Sequence, residues 1–370
     1  MFDFTWSEHT LVNVLYCIIT YGLFIVVFYK RYVTNALYQR TNPNRWMLFF
    51  ALLLIITACF DTDWFHYREM VYDYDLTIGA DNYGEPVYRF IIELVGKNYL
   101  LFRLVVWGLA FGLTCFAFRR FEVNINWAVF FLVAVFIIKF NYARSTLGMA
   151  CFYVGLSYLI KPTKRHYVLS LICVALFFWG AYEFHHSMLI LVLLAPLVVF
   201  LPMDKPLILI IVLLALPFIA SILNDSIILV DQLDNEYLSE KLQRNLERES
   251  VRANILGTIR SIINYGVFVF PLFVDSFVLL KNHEVVSSSM IRLYRFTLSV
   301  AILAFSFFFM GLESRLFIYR ILFMSFIPLT ILTVYLYEKH LMSRKSYKVI
   351  IWWGILAVSV TLLVLLYGCI

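Results

Sequence analysis

The sequence predicts an all-α fold, a polytopic transmembrane helix bundle of about 12 segments, and three observations carry that expectation. Of its 370 residues, 62% are hydrophobic and only 15% charged, against about 45–50% apolar and about 25% charged in a soluble domain. The apolar residues gather in runs of about 15 to 20, the length a helix needs to cross the hydrocarbon layer. Lys and Arg fill every second connection between those runs, as they do on the cytoplasmic side of membrane proteins.

The runs follow one another along a single integral membrane domain, 1–370, at 10–29, 46–60, 99–118, 125–140, 143–160, 167–182, 186–201, 206–222, 262–280, 293–310, 320–337 and 349–368. Phe (36) and Tyr (24) are abundant, and aromatic rings suit both lipid contact and the headgroup boundary. The first run, Leu11 to Phe28, reads as a retained span, because acidic Asp3 and Glu8 rather than a basic stretch precede it. With the N-terminus outside, Lys30, Arg31, Arg119, Arg120, Lys161, Lys164, Arg165, Lys281, Lys339 and Arg344 all face the cytoplasm. The net charge of +6 follows from these loops and gives no reason to expect a nucleic-acid partner. The six Cys, Cys17, Cys59, Cys115, Cys151, Cys173 and Cys369, are scattered singly through apolar sequence and read as small core hydrophobes.

Two outer connections are longer than ordinary ones, and long loops in compact proteins are usually functional or disordered. The first, 61–98, is rich in Tyr, Trp and acids; the second, 223–261, places Val230, Leu233, Tyr237, Leu242 and Leu246 near helical spacing. The expectation is an extracytoplasmic region of short amphipathic helices, with 235–252 lying on the outer surface either as a lid or as a solvated helix packed on its neighbours.

An ionisable residue at membrane depth is expensive and marks a functional site by default. Arg144 lies in Asn141-Tyr142-Ala143-Arg144-Ser145-Thr146 at the outer end of two adjacent spans, among polar and small residues; the alternative is an arginine snorkelling to outer phosphates. Glu183-Phe184-His185-His186-Ser187 sits between apolar runs. One His as a base or phosphate partner fits better than a zinc site, because no third ligand stands at a diagnostic spacing. In Glu313-Ser314-Arg315-Leu316-Phe317-Ile318-Tyr319-Arg320, Arg315 and Tyr319 share a helix face, and Arg320 has Glu313 or a headgroup as its alternative partner. The first loop adds Asp61, Asp63, Glu85, Tyr88 and Arg89. Together these groups suit an anionic, lipid-linked substrate: guanidinium groups bind phosphate in a fork, and carboxylates or His take a hydroxyl proton.

The segments Asp61 to Tyr67, Gly84-Glu85-Pro86-Val87-Tyr88, Arg144 to Ala150, Phe184-His185-His186-Ser187 and Arg315 to Tyr319 resemble, in order and spacing, the motifs of the EpsG family, related to Wzy-type polysaccharide polymerases. Thr146-Leu147-Gly148 fits the Arg motif loosely, and at His186 other residues are acceptable. The resemblance implies joining of oligosaccharide units carried on undecaprenyl diphosphate at the outer face of a bacterial inner membrane. It also implies, as pathway partners, a flippase and a chain-length regulator.

Chemistry assigns the roles. Arg144 and Arg315 would neutralise the departing diphosphate, and His185, Glu85 or Asp63 would accept the hydroxyl proton; His186, Tyr88, Arg89, Asp61, Tyr319 and Arg320 would hold substrate. Neither a metal nor another cofactor is expected, since no acidic pair has a clear ligand spacing. The competing readings are a glycan ligase, a membrane acyltransferase acting on lipid-linked sugars, and a lipid-linked sugar transporter or flippase. The last would place charges through the middle of paired, broken helices.

Overall fold

The computed structural model describes residues 11–34, 43–58, 60, 67–68, 71–72, 86–140, 143–162, 166–200, 255–306 and 321–367. The helices in chain order are α1 (Leu11–Tyr29), α2 (Arg45–Thr57), α3 (Pro86–Val95), α4 (Tyr99–Arg120), α5 (Ile125–Phe140), α6 (Ala143–Ile160), α7 (Tyr167–Phe184), α8 (Leu189–Phe200), α9 (Ile255–Lys281), α10 (Ser288–Ser306), α11 (Phe326–Glu338) and α12 (Arg344–Tyr367). A π-helical turn, Lys30–Thr34, extends α1, and a 3₁₀ turn, His186–Met188, precedes α8. Each expected span coincides with a helix except 206–222, which lies outside the described residues, as does the expected surface helix at 235–252. No strand occurs among the described residues.

Among the described residues, five helical stretches are long and apolar enough to cross a membrane: Leu11–Val33, Tyr99–Arg120, Tyr167–Phe184, Ser288–Phe305 and Arg344–Leu366. Shorter apolar helices fill the remaining positions, among them Arg45–Thr57, Ile125–Phe140 and Phe326–Glu338. Their placement follows from their length. A helix rises about 1.5 Å per residue, so 13 to 16 residues fall short of a hydrocarbon layer of about 30 Å. Two such helices, α5 and α11, are enclosed by protein instead: every residue from Asn126 to Phe140, and from Phe326 to Tyr337, is buried. Among the five long helices, by contrast, Val26, Leu176, Trp179 and Leu363 are exposed on outward faces, where apolar side chains meet lipid.

The structure moves several boundaries. α9 starts at Ile255 and α10 at Ser288, earlier than the apolar runs at 262 and 293, because a helix continues through polar residues at its ends while an apolar window stops at them. α11 starts later than the run at 320. Pro328 lacks the N–H that would bond the Met324 carbonyl, and the chain turns at Met324 and Ser325. The buried Tyr153 hydroxyl of α6 donates to that freed carbonyl, so the break leaves no orphan acceptor in an apolar interior. The first long connection also contains structure: α3 begins at Pro86, a residue suited to the first helical position.

Where lipid replaces water, helices associate through close packing at small residues. A methyl group at Gly354 of α12 would lie 2.7 Å from Val135 Cα of α5, and one at Gly155 of α6 would lie 2.7 Å from the Phe178 ring of α7. The backbone contact at Gly354 leaves nothing to rotate away. Gly354→Ala is therefore expected to destabilise the folded protein by about 1–3 kcal/mol through overpacking, read as a lower thermal midpoint in detergent. Gly180→Ala, with open space around its methyl, should leave the midpoint unchanged or raise it.

Contacts define two ends. At the basic end, Asn124 N–H donates to both carboxylate oxygens of Glu338 (3.1 Å each), Asn44 N–H donates to Asn126 Oδ1 (2.6 Å), and Arg344 donates to the Val33 carbonyl (3.3 Å). Arg120 donates to the Lys161 carbonyl (2.8 Å) and lies over the Tyr158 ring. Lys161 Nζ stands 2.7 Å from Glu122, and its hydrogen bond and charge hold that carboxyl below the usual range.

Candidate functional site

The opposite end of the bundle gathers the end of α2, all of α3, the start of α4, the end of α5, the start of α6, the end of α7 and the 3₁₀ turn. α4 is started there by Asn98, whose side chain accepts from Leu101 N–H (3.0 Å). α7 stops at His185, where the backbone is extended and His185 N–H bonds the Ala181 and Tyr182 carbonyls (3.0 and 3.1 Å). The His185 carbonyl then accepts from Met188 N–H (2.8 Å), closing the 3₁₀ turn.

This break positions His185 against α6. A methyl group at Gly148 would lie 3.2 Å from both His185 Cβ and the Ala181 carbonyl oxygen, so a larger residue there would push the two helices apart by a few tenths of an ångström. Arg144 occupies the first turn of α6, four residues before Gly148. The fold thus brings the backbone of Arg144 and the half-buried His185 to the same end, one helical turn apart. His186 is exposed and lies over Tyr182, ring centroids 4.8 Å apart. Tyr88 of α3 is buried, with its ring edge-on to Phe184 (6.1 Å) and tilted against Phe102 (6.3 Å). It fastens α3 beneath the His185 turn. Arg89 is the next residue on α3 and is half-buried.

Asp61, Asp63, Glu85, Arg315, Tyr319 and Arg320 lie outside the described residues. Among the described residues no group of three or more His, Cys, Asp or Glu comes together as a metal would need. Cys17 and Cys151 are buried, and Cys115 and Cys173 partly so.

Three buried ionisable groups escaped the sequence reading. Arg103, in the second turn of α4, donates through Nη2 to the carbonyls of Ile55 (3.1 Å) and Ala58 (3.0 Å), which end α2. Its guanidinium also lies over the Trp107 ring at 5.0 Å. Lys139, next to the last residue of α5, is 2% exposed, with Nζ 5.9 Å from the Phe268 ring centroid. Both are cations inside apolar runs, the same signal that singled out Arg144. Asp275 of α9 is fully buried nearer the basic end; one carboxyl oxygen accepts from Thr333 of α11 (2.8 Å), and Oδ1 has no partner among the described residues.

Two further hydrogen bonds knit the cationic end. Trp107 Nε1 donates to the Phe140 carbonyl (3.0 Å), and Thr146 Oγ1 donates to the Lys139 carbonyl (3.3 Å). The end of α5 is thereby held between α4, the helix that carries Arg103, and α6, the helix that carries Arg144. Such an end attracts anions, and a half-buried imidazole beside it is suited to proton transfer.

The sequence model of the EpsG family matches residues 44–368. No curated protein and no solved structure matches the chain.

Proposed function

Because this membrane protein belongs to the EpsG family, a family of Wzy-like polysaccharide polymerases, we propose that it joins oligosaccharide units carried on undecaprenyl diphosphate into a surface polysaccharide. The observation that supports this most directly is the meeting of the Arg144 turn of α6 with His185 at the end of the bundle away from the basic loops. Basic loops favour the cytoplasmic side. This supports a reading in which the Arg144 and His185 end faces the periplasm or exterior from a bacterial inner membrane, the side on which lipid-linked units would be joined.

The reaction moves a glycan from its diphosphate carrier to a hydroxyl of a second lipid-linked unit. The bond between the anomeric carbon and the phosphate oxygen breaks, a new bond forms to the acceptor oxygen, and the lipid diphosphate leaves with the bonding electron pair. Arg144 and Arg315 neutralise the charge that grows on the leaving group. His185, or a carboxylate of the first connection such as Glu85 or Asp63, takes the acceptor's proton. His186, Arg89 and Tyr88, with Asp61, Tyr319 and Arg320, hold the sugar and phosphate groups in place. A flippase that supplies the units and a protein that sets chain length are the partners this reaction implies.

Deleting the gene is expected to remove the long glycan ladder from the cell surface while single units remain, seen on a gel of surface glycan. A purified protein fed repeat units alone should build a ladder. Transfer only to a different acceptor would replace the polymerase with a ligase, and movement of labelled lipid-linked sugar across vesicles without chain growth would replace it with a transporter.

A further inference from the structure

We infer that Arg68, in the first long connection, is a contact for the diphosphate of the lipid-linked substrate beside Arg89, an inference that rests on the function proposed above. The starting point is a row of aromatic rings. Tyr67 stands edge-on to Trp107 (6.3 Å) and Trp107 edge-on to Phe102 (6.4 Å), while Tyr88 bridges Phe102 and Phe184 (6.3 and 6.1 Å). Tyr67, Tyr88, Phe102 and Trp107 are all buried, and close packing of this kind fixes the backbone that carries each ring. The three rings that come from outside α4 are each followed directly by a side chain able to meet an anion: Tyr67 by Arg68, Tyr88 by Arg89 and Phe184 by His185. One row thus anchors three separate segments and sets Arg68, Arg89 and His185 at the same end of the bundle.

Arg68 has donors to offer. Its guanidinium lies over the Tyr72 ring, 5.3 Å from the centroid, a contact made by the face of the group. The N–H bonds lie in the guanidinium plane, so stacking leaves them open to an acceptor. Nε is buried and meets no acceptor among the described residues. A buried donor without an acceptor is costly, and an arriving anion supplies what it lacks. Arg103, at the same end, is different, because it spends its Nη2 donors on the carbonyls that end α2. Access is provided as well: Arg68 as a whole is half-buried and Tyr72 is exposed, so the stacked pair stands at the surface where a headgroup arrives. A diphosphate carries charge on two phosphoryl groups, and two guanidinium forks, from Arg68 and Arg89, match it better than one.

The test uses purified full-length protein in lipid nanodiscs and two sugar-free probes, a polyisoprenyl diphosphate and the corresponding monophosphate. The unmodified protein should bind the diphosphate more tightly. Arg68→Ala should weaken diphosphate binding about tenfold or more, the effect of losing one charge-assisted contact, and change monophosphate binding much less. Arg68→Lys, which keeps the charge but loses the fork and the planar stack, should restore the preference only in part. A diphosphate preference that survives in Arg68→Ala overturns the inference alone, as does an equal loss for both probes, the signature of a purely structural arginine. Failure of the unmodified protein to bind the diphosphate at all would instead defeat the proposed function and this inference with it. Should Arg68→Ala fail to accumulate, the unmodified protein still decides. A diphosphate probe with a diazirine on its terminal phosphate should cross-link to the peptide containing residues 67–72, and cross-links confined to other segments overturn the inference.

Discussion

Arg144→Ala is expected to abolish chain growth with protein abundance unchanged, and Arg144→Lys to restore it only weakly. A guanidinium at the membrane boundary is held there at a cost in free energy unless anions or carbonyls meet it, and a diphosphate supplies the anions. Its fork binds two oxygens at once, so lysine keeps the charge but loses the geometry. Arg144 also sits in the first turn of α6, where the free N–H groups and the positive helix end already favour an anion. The two effects point the same way, and removing the side chain leaves only the weaker one. An arginine that merely reached for lipid phosphates would behave differently: lysine would replace it freely, and alanine would chiefly lower abundance. The glycan ladder and an immunoblot of both variants separate the outcomes, and a normal ladder in Arg144→Lys would refute the role.

The second large effect is on stability. Arg103→Ala removes both donors from the Ile55 and Ala58 carbonyls and the cation from the face of Trp107. Two acceptors at the end of α2 are then left in a buried, largely apolar setting, so a loss of about 3–5 kcal/mol is expected. It is measured as a lower thermal midpoint in detergent together with reduced abundance in the membrane. Arg103→Lys should recover part of the loss, since an ammonium reaches a carbonyl but stacks less well on an indole. An unchanged midpoint in Arg103→Ala would contradict this account. The consequence reaches past α2, because Asp61 and Asp63 follow its end within a few residues.

Much of this molecule was legible in its residues. Composition and run length identify a helical membrane protein, and the rhythm of basic connections anticipates the two ends that Glu122, Lys161, Asn124 and Glu338 define on one side. The neighbourhood of Arg144 and His185 was legible too, because both lie at the ends of adjacent apolar runs. Packing was not. Nothing in a run of 16 apolar residues distinguishes α5, enclosed on every side, from a helix that faces lipid, since both are apolar all round. For the same reason Arg103 and Lys139 escaped the sequence reading: their surroundings depend on Trp107 and Thr146, which reach the end of α5 from helices before and after it. The break at Met324 is legible only with hindsight, through Pro328 and a tyrosine 171 positions away.

The burial of α5 has a bearing on how the bundle comes together. Its neighbours include α2 and α4, made before it, and α11 and α12, made well after it; the hydrogen bonds from Asn124 to Glu338 close a separation of 214 positions. While the ribosome is still extending the chain, this middle helix has lipid where its later partners will be. Lipid is as apolar as those partners, so its hydrophobic faces lose little by the wait. Its two strongly polar side chains, Asn126 and Lys139, stand at its two tips, and Asn126 Oδ1 accepts from Asn44, in a segment made earlier. The enclosed helix is thus the one best able to be finished late, and α11 and α12, made after it, exchange lipid for protein around a centre that is already in place.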